Sequence, residues 1–155
     1  MKLTNFPKAV FCLTLLLCWG SCASPAQAQT DFFDIRICID LQTVEVHTPR
    51  DSYDAVFQSE VRVFPNRTAT GSLMLIPTDD RPSGGIQVGL LDGSVRFHRD
   101  GTVARVLLRG RTPEGYPIVV MITPAATEDC LIYTTIGTEV WATWEAQGHI
   151  VVNRR

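Results

Sequence analysis

Lysine is almost missing from this chain of 155 residues: Lys2 and Lys8 are its two copies, and every later cation apart from three histidines is one of twelve arginines. All sixteen acids lie beyond residue 28, so residues 29–155 carry a formal charge of −4 (12 minus 16). A general nucleic-acid binder is usually basic over its domain, and this balance excludes that class. Cysteine is scarce where a redox or metal motif would need it. Three of the five, Cys12, Cys18 and Cys22, sit near the N-terminus, and Cys38 and Cys130 form no Cys-x-x-Cys pair. His47, His98 and His149 are isolated too, with no i, i+2 or i, i+4 spacing that would let two imidazoles share a metal. No cofactor motif is read. After the N-terminal run, no segment reaches the ~18 consecutive apolar residues of a membrane helix. The strand-like segments also leave no room for helical crossovers, which excludes a parallel α/β architecture.

What is present begins with "MKLTNFPKAVFCLTLLLCWGSCASPAQAQT". Two lysines, an apolar run from Ala9 to Trp19 and small residues ending in Ala26-Gln27-Ala28 have the order of a secretory signal. Cleavage after Ala28 would leave 127 residues, enough for a single domain over 29–155. The expected location is periplasmic or secreted. The alternative is a lipid-anchored envelope protein, because Trp19-Gly20-Ser21-Cys22 resembles the lipobox of bacterial lipoproteins, with Cys22 as the anchor. In an oxidising compartment the two remaining cysteines are expected to pair as a Cys38–Cys130 disulfide. Closing so long a loop would stabilise the chain by about 4–5 kcal/mol in the chain-entropy picture.

The mature segment reads as strands. In "FFDIRICIDLQ", Phe33, Ile35, Ile37, Ile39 and Leu41 alternate with polar residues, and Val44 and Val46 carry the apolar signal on even positions, so a bulge or tight turn falls between. Thr48-Pro49-Arg50-Asp51 has helix-cap order, and Tyr53, Val56 and Phe57 at i, i+3 and i+4 fit one short helix near residues 49–59. Then come short apolar segments separated by turn residues, including Asp92-Gly93, Asp100-Gly101 and Gln147-Gly148. The expected fold is all-β, an antiparallel sandwich or small barrel of about ten short strands. "SLMLIP" and "YPIVVMIT" are apolar on both faces and read as central strands. Strands shorter than the ~9–11 residues that cross a bilayer argue against an outer-membrane barrel.

Candidate chemistry gathers in "LLDGSVRFHRDGTVARVLLRG", residues 90–110. Ser94 and His98 would lie ~13 Å apart along a strand, too far to act as nucleophile and base on their own. The aspartates lack the alternating ligand positions of a calcium loop. "DGSVRF" resembles a strand-turn motif near the C-terminus of some prepilin-like bacterial proteins; it covers six residues and carries no functional residue across. Arg96, Arg99, Arg105, Arg109 and Arg111 are interrupted by a single acid, Asp100. Arginine suits bidentate contact with carboxylate, sulfate or phosphate, so Arg96, Arg105, Arg109 and Arg111 are candidate contacts for a protein, glycan or anionic envelope component. Trp141 and Trp144 have opposite parity, one for the core and one for the surface, and Trp144 is a further candidate contact. Asn66-Arg67-Thr68 matches the N-glycosylation pattern. The expected function is a non-enzymatic binding or structural module of the cell envelope or extracellular space. The alternative is a small hydrolase or metal-dependent enzyme built from loop acids and His98 or His47.

Overall fold

Strand alternation governs nearly every stretch that the computed structural model describes, residues 33–79, 85–125 and 127–154. These lie in one unit, Asp31–Arg155; the expected signal peptide and Cys22 fall outside the described residues. Eight strands follow one another: β1 (Phe33–His47), β2 (Ser52–Val63), β3 (Thr68–Pro77), β4 (Ile86–Phe97), β5 (Val103–Arg111), β6 (Pro117–Pro124), β7 (Asp129–Ile136) and β8 (Ala142–Arg154). Each pairs antiparallel with the next and β8 returns to β1, closing an up-and-down barrel. Closure removes the edge strands that a sandwich would have to protect. No strand is more central than another, so β3 and β6 owe their apolar character to other causes. Their outward residues Met74, Val119 and Met121 are half-buried, and Ile76 is exposed.

An eight-stranded barrel has an interior about wide enough for side chains to fill. Here Ile37, Val46, Phe57, Val61, Leu91, Leu108, Val120 and Ile132 are fully buried in one continuous core. The outer wall is mixed: Arg36, Glu45, Asp54, Glu60, Arg62 and Arg96 are exposed or half-exposed there, and so are Ile76, Leu90, Leu107, Leu131 and Tyr133. Strands of 8 to 15 residues are longer than the sequence suggested, so length does not argue against a membrane barrel. The charged outer faces of β1 and β2, with Arg36, Glu45, Asp54, Glu60 and Arg62, interrupt the continuous apolar band that a membrane-spanning barrel carries outside. No helix of the described residues is long and apolar enough to cross a membrane.

The helix expected near residues 49–59 is replaced by β2. Ala55, Phe57, Ser59, Val61 and Val63 are buried on alternate residues, a period-2 pattern that outweighs the i, i+3, i+4 coincidence. Thr48 does cap, but it caps a hairpin: its N–H donates to the Asp51 carbonyl (2.8 Å) and its Oγ1 accepts the Asp51 N–H (3.1 Å). The change of parity in β1 is a bulge, where Ile39 faces Ser59 and Gln42 faces Phe57. It turns Leu41 outward, 62% exposed, where plain alternation had placed it inside. A second bulge in β4 lets Val88 and Leu91 both face the core and expels Leu90.

The β1–β8 ladder is interrupted between Cys38↔His149 and His47↔Thr143. There the Gln42 carboxamide stands in for a peptide group: its Nε2 donates to the Gln147 carbonyl (2.6 Å), and the Gln147 N–H donates to its Oε1 (3.2 Å). Gln42→Ala is expected to cost about 1–3 kcal/mol, two hydrogen bonds at the usual net worth. Gln42→Glu, which has no donor, should recover little of it. Urea unfolding of both variants checks this, and a loss of only a few tenths of a kcal/mol in Gln42→Ala would remove the seam role.

Candidate functional site

Three hairpins share one five-residue turn. In Phe64–Thr68, His98–Thr102 and Thr112–Tyr116, the first N–H donates to the fifth carbonyl (2.9, 2.8 and 2.8 Å) and the fourth N–H to the first carbonyl. The fourth residue has positive φ: Arg67 at 67°, Gly101 at 85° and Gly115 at 91°. In the first two, the third residue locks the turn. Asn66 Oδ1 accepts from the Thr68 N–H (3.1 Å) and hydroxyl (2.6 Å), and Asp100 Oδ1 from the Thr102 N–H (3.0 Å) and hydroxyl (2.7 Å). Asp100-Gly101 is therefore the turn the sequence suggested. The Thr102 hydroxyl, then the Thr102 N–H, hold the Asp100 carboxyl below the usual carboxylate range, so it stays ionised at neutral pH.

Those two turns and the β6–β7 connection surround a recess of about 620 Å³ at the barrel end. Its apolar surface comes from Ile35, Val63, Val103, Phe97 and Ile150, the last layer of the core and its neighbours, with Phe64 and Val152 beside them. His98, Asp100 and Glu128 supply its ionisable groups. The size falls in the range of small-molecule sites. The hydrolase alternative needs a histidine with two carboxylates in one concavity, and this recess lines up those three. Among the described residues, however, the His98 ring makes no hydrogen bond or ion pair with either carboxylate, and no three His, Cys, Asp or Glu side chains stand where they could hold a metal. Ser94 lies on the outer face of β4, opposite Leu107. The chemistry on offer is an apolar surface with an anionic edge. Sequence reading passed over Phe64, Val103, Glu128 and Ile150; the repeated Asx-x-Thr of the two turns was the available signal.

The candidate arginines separate once the register is known. Arg96 faces Arg105 across β4–β5, and Arg109 faces Asp92. Arg111 donates from Nη1 to the Gly115 carbonyl (2.8 Å), serving its own turn. Trp144 is corrected as a contact residue: at 1% exposure it lies inside the barrel, edge-on to Phe57 with ring centroids 5.7 Å apart. Trp141 is the exposed member, stacked on Tyr116 at 5.6 Å.

The expected disulfide is absent, and both cysteines are free. Cys38 on β1 points outward between buried Ile37 and Ile39, whereas Cys130 on β7 points inward, with β8 between them. Two strand spacings come to ~10 Å, beyond the ~7 Å Cα separation a disulfide tolerates. Cys38, His149 and Asp129 instead form an outer row of cross-strand neighbours, which only the register reveals. Burial pushes the Cys130 thiol up to about 11. Since the thiolate is the reactive form, alkylation at mildly alkaline pH is expected to label Cys38 in the folded protein and to reach Cys130 only after unfolding. Peptide mapping of the labelled sites checks this; equal labelling would contradict the inward placement of Cys130.

Compared with known proteins, the chain matches no family model, no curated protein and no solved structure. The functional reading therefore rests on the geometry of the barrel itself.

Proposed function

We propose that this protein is a non-enzymatic binding module, exported to the cell envelope or extracellular space, that seats a small apolar group in the recess at the barrel end. The observation that carries the proposal is the recess itself. Its surface is built from Val63, Val103, Phe97 and Ile150, while Asp100 and Glu128 line the same concavity. An occupant would exclude water from the apolar surface and turn a polar or cationic end toward the carboxylates. The export signal read in residues 1–28 supports the location, and the charged outer faces of β1 and β2 suit contact with water.

Thermal melting of the purified protein with decylamine, decanol and decanoate tests the reading. The amine and the alcohol are expected to raise the midpoint saturably, the carboxylate less. A ligand at about 100 times its Kd adds about 2.7 kcal/mol. Val103→Trp should abolish the shift, and Glu128→Gln should narrow the gap between amine and carboxylate. If none of the three probes moves the midpoint, the recess is not a ligand site. A second reading, hydrolysis, is favoured by His98, Asp100 and Glu128 lining one recess. It requires turnover of a chromogenic ester that His98→Ala eliminates.

A further inference from the structure

Two pairs of arginines face each other across neighbouring strands, and they are treated differently. Arg36 faces Arg62 across β1–β2. Each has an acid two residues before it on its own strand, Asp34 at 3.2 Å from Arg36 and Glu60 at 3.5 Å from Arg62. Like charges directly opposite destabilise a sheet, and this pair is neutralised in place. Arg96 and Arg105 across β4–β5 are not. Ser94 and Val103 occupy the positions two before them, and among the described residues neither arginine makes an ion pair. The nearest acid on the outer face of these strands, Asp92, stands opposite Arg109. Asp100 in the adjoining turn is held by Thr102.

Arg67 adds a third cation beside this pair. It closes the Phe64–Thr68 turn next to β4, its carbonyl accepting the Val95 N–H at 2.8 Å. Its φ of 67° is one that the sister turns give to Gly101 and Gly115. A left-handed conformation is costly for a side-chain-bearing residue, so an arginine stands where glycine would sit more easily.

We propose that Arg96 and Arg105, with Arg67 at the margin, form a binding site for a phosphate or sulfate group on the outer wall of the barrel. Two guanidinium groups on adjacent strands present planar N–H forks that match such an oxyanion, and the anion supplies the countercharge that the sheet lacks. The site is separate from the recess, which is lined on the inner side of the wall and carries carboxylates. The same chemistry is met in free phosphate or sulfate and in an anionic lipid headgroup.

The test uses the purified protein with Arg96→Gln, Arg105→Gln and the double variant. In low-salt buffer free of multivalent anions, each single variant is expected to melt higher than the parent, on the order of 1–4 °C, because a like-charge pair is relieved. Arginines that serve only as packing would give the opposite sign. Inorganic phosphate or sulfate should then stabilise the parent saturably and the double variant at least about tenfold more weakly. In parallel, co-sedimentation is measured with phosphatidylcholine vesicles and with vesicles containing phosphatidylglycerol. Phosphate or sulfate binding lost in the double variant supports a site for the free ion. Binding to anionic vesicles alone, lost in the double variant, supports a headgroup site. No anion or vesicle response in the parent, an equal response in the double variant, or lower melting of the single variants overturns the proposal.

Discussion

Gly93→Ala is expected to cost the barrel about 3–5 kcal/mol, while Gly89→Ala, on the same strand, is expected to change stability by no more than about 0.5 kcal/mol. A Cβ at Gly93 would run into the Leu107 carbonyl and its carbon, with the Leu108 Cα also in contact range, whereas a Cβ at Gly89 meets nothing within 4 Å. The obstacle at Gly93 is backbone, which no rotamer change can move aside. Relief requires β4 and β5 to part around Gly93↔Leu108 and Ser94↔Leu107, which weakens ladder hydrogen bonds and loosens Leu108, a fully buried core residue. The thermal midpoint should fall by roughly 10–20 °C for Gly93→Ala, and urea unfolding of the two variants side by side checks the contrast. Similar losses at both glycines would mean that β4 and β5 do not approach as described.

The same glycine explains why about ten strands were expected and eight are present. Asp92-Gly93 and Asp100-Gly101 look alike in sequence, yet they solve different problems. Gly101 supplies a positive φ in a hairpin turn, whereas Gly93 supplies room for a neighbouring strand in the middle of β4. Gly148 repeats the second case, where a Cβ would press on the Cys38 carbonyl, Ile39 and Ile132 inside β8. Glycine in a strand marks close backbone approach as readily as it marks a break. Reading both as turns split β4 and β8 in two. The discriminating signal is the residue that follows: Thr102 and Thr68 bond back to Asp100 and Asn66, while Ser94 continues its strand opposite Leu107.

Fold class was legible because alternation is local, and so was the presence of a bulge in β1, although the sequence places the parity change between Leu41 and Val44 and the ladder shifts between Ile39 and Gln42. Contacts that depend on register were not legible. The facing of Arg96 with Arg105, the row of Cys38, His149 and Asp129, and the separation of Cys38 from Cys130 by β8 all require knowing which strand lies beside which. The arginine cluster illustrates the limit well. Five cations within sixteen residues of sequence part company: Arg109 faces Asp92 across the ladder, Arg111 serves its own turn, Arg96 and Arg105 face each other, and Arg99 sits in the turn between β4 and β5. The recess is harder still, since its lining comes from both ends of the described chain and from three separate turns.

Trp144→Ala is expected to destabilise the barrel by about 3–5 kcal/mol, the cost of emptying a large core position; a surface tryptophan truncated the same way would cost about 0.5 kcal/mol or less. Trp144 fills the interior against Phe57, both rings essentially inaccessible to solvent. The residue is not ideal there, because its Nε1 has no hydrogen-bond partner among the described residues, and neither does the Oγ1 of its cross-strand neighbour Thr134. Two buried polar atoms left unpaired each carry a desolvation penalty of ~1–3 kcal/mol. Trp144→Phe therefore loses apolar contact but also removes an unpaired N–H, and it should be far milder than Trp144→Ala. Thr134→Val, close in shape and without the hydroxyl, should stabilise the protein by about 1 kcal/mol. Urea unfolding followed by far-UV circular dichroism, which does not depend on the tryptophan signal, measures all three. A Thr134→Val variant that is clearly less stable than the parent would show that its hydroxyl has a partner, such as a buried water between the two side chains. A Trp144→Ala variant as stable as the parent would return Trp144 to the outer face and the list of contact residues.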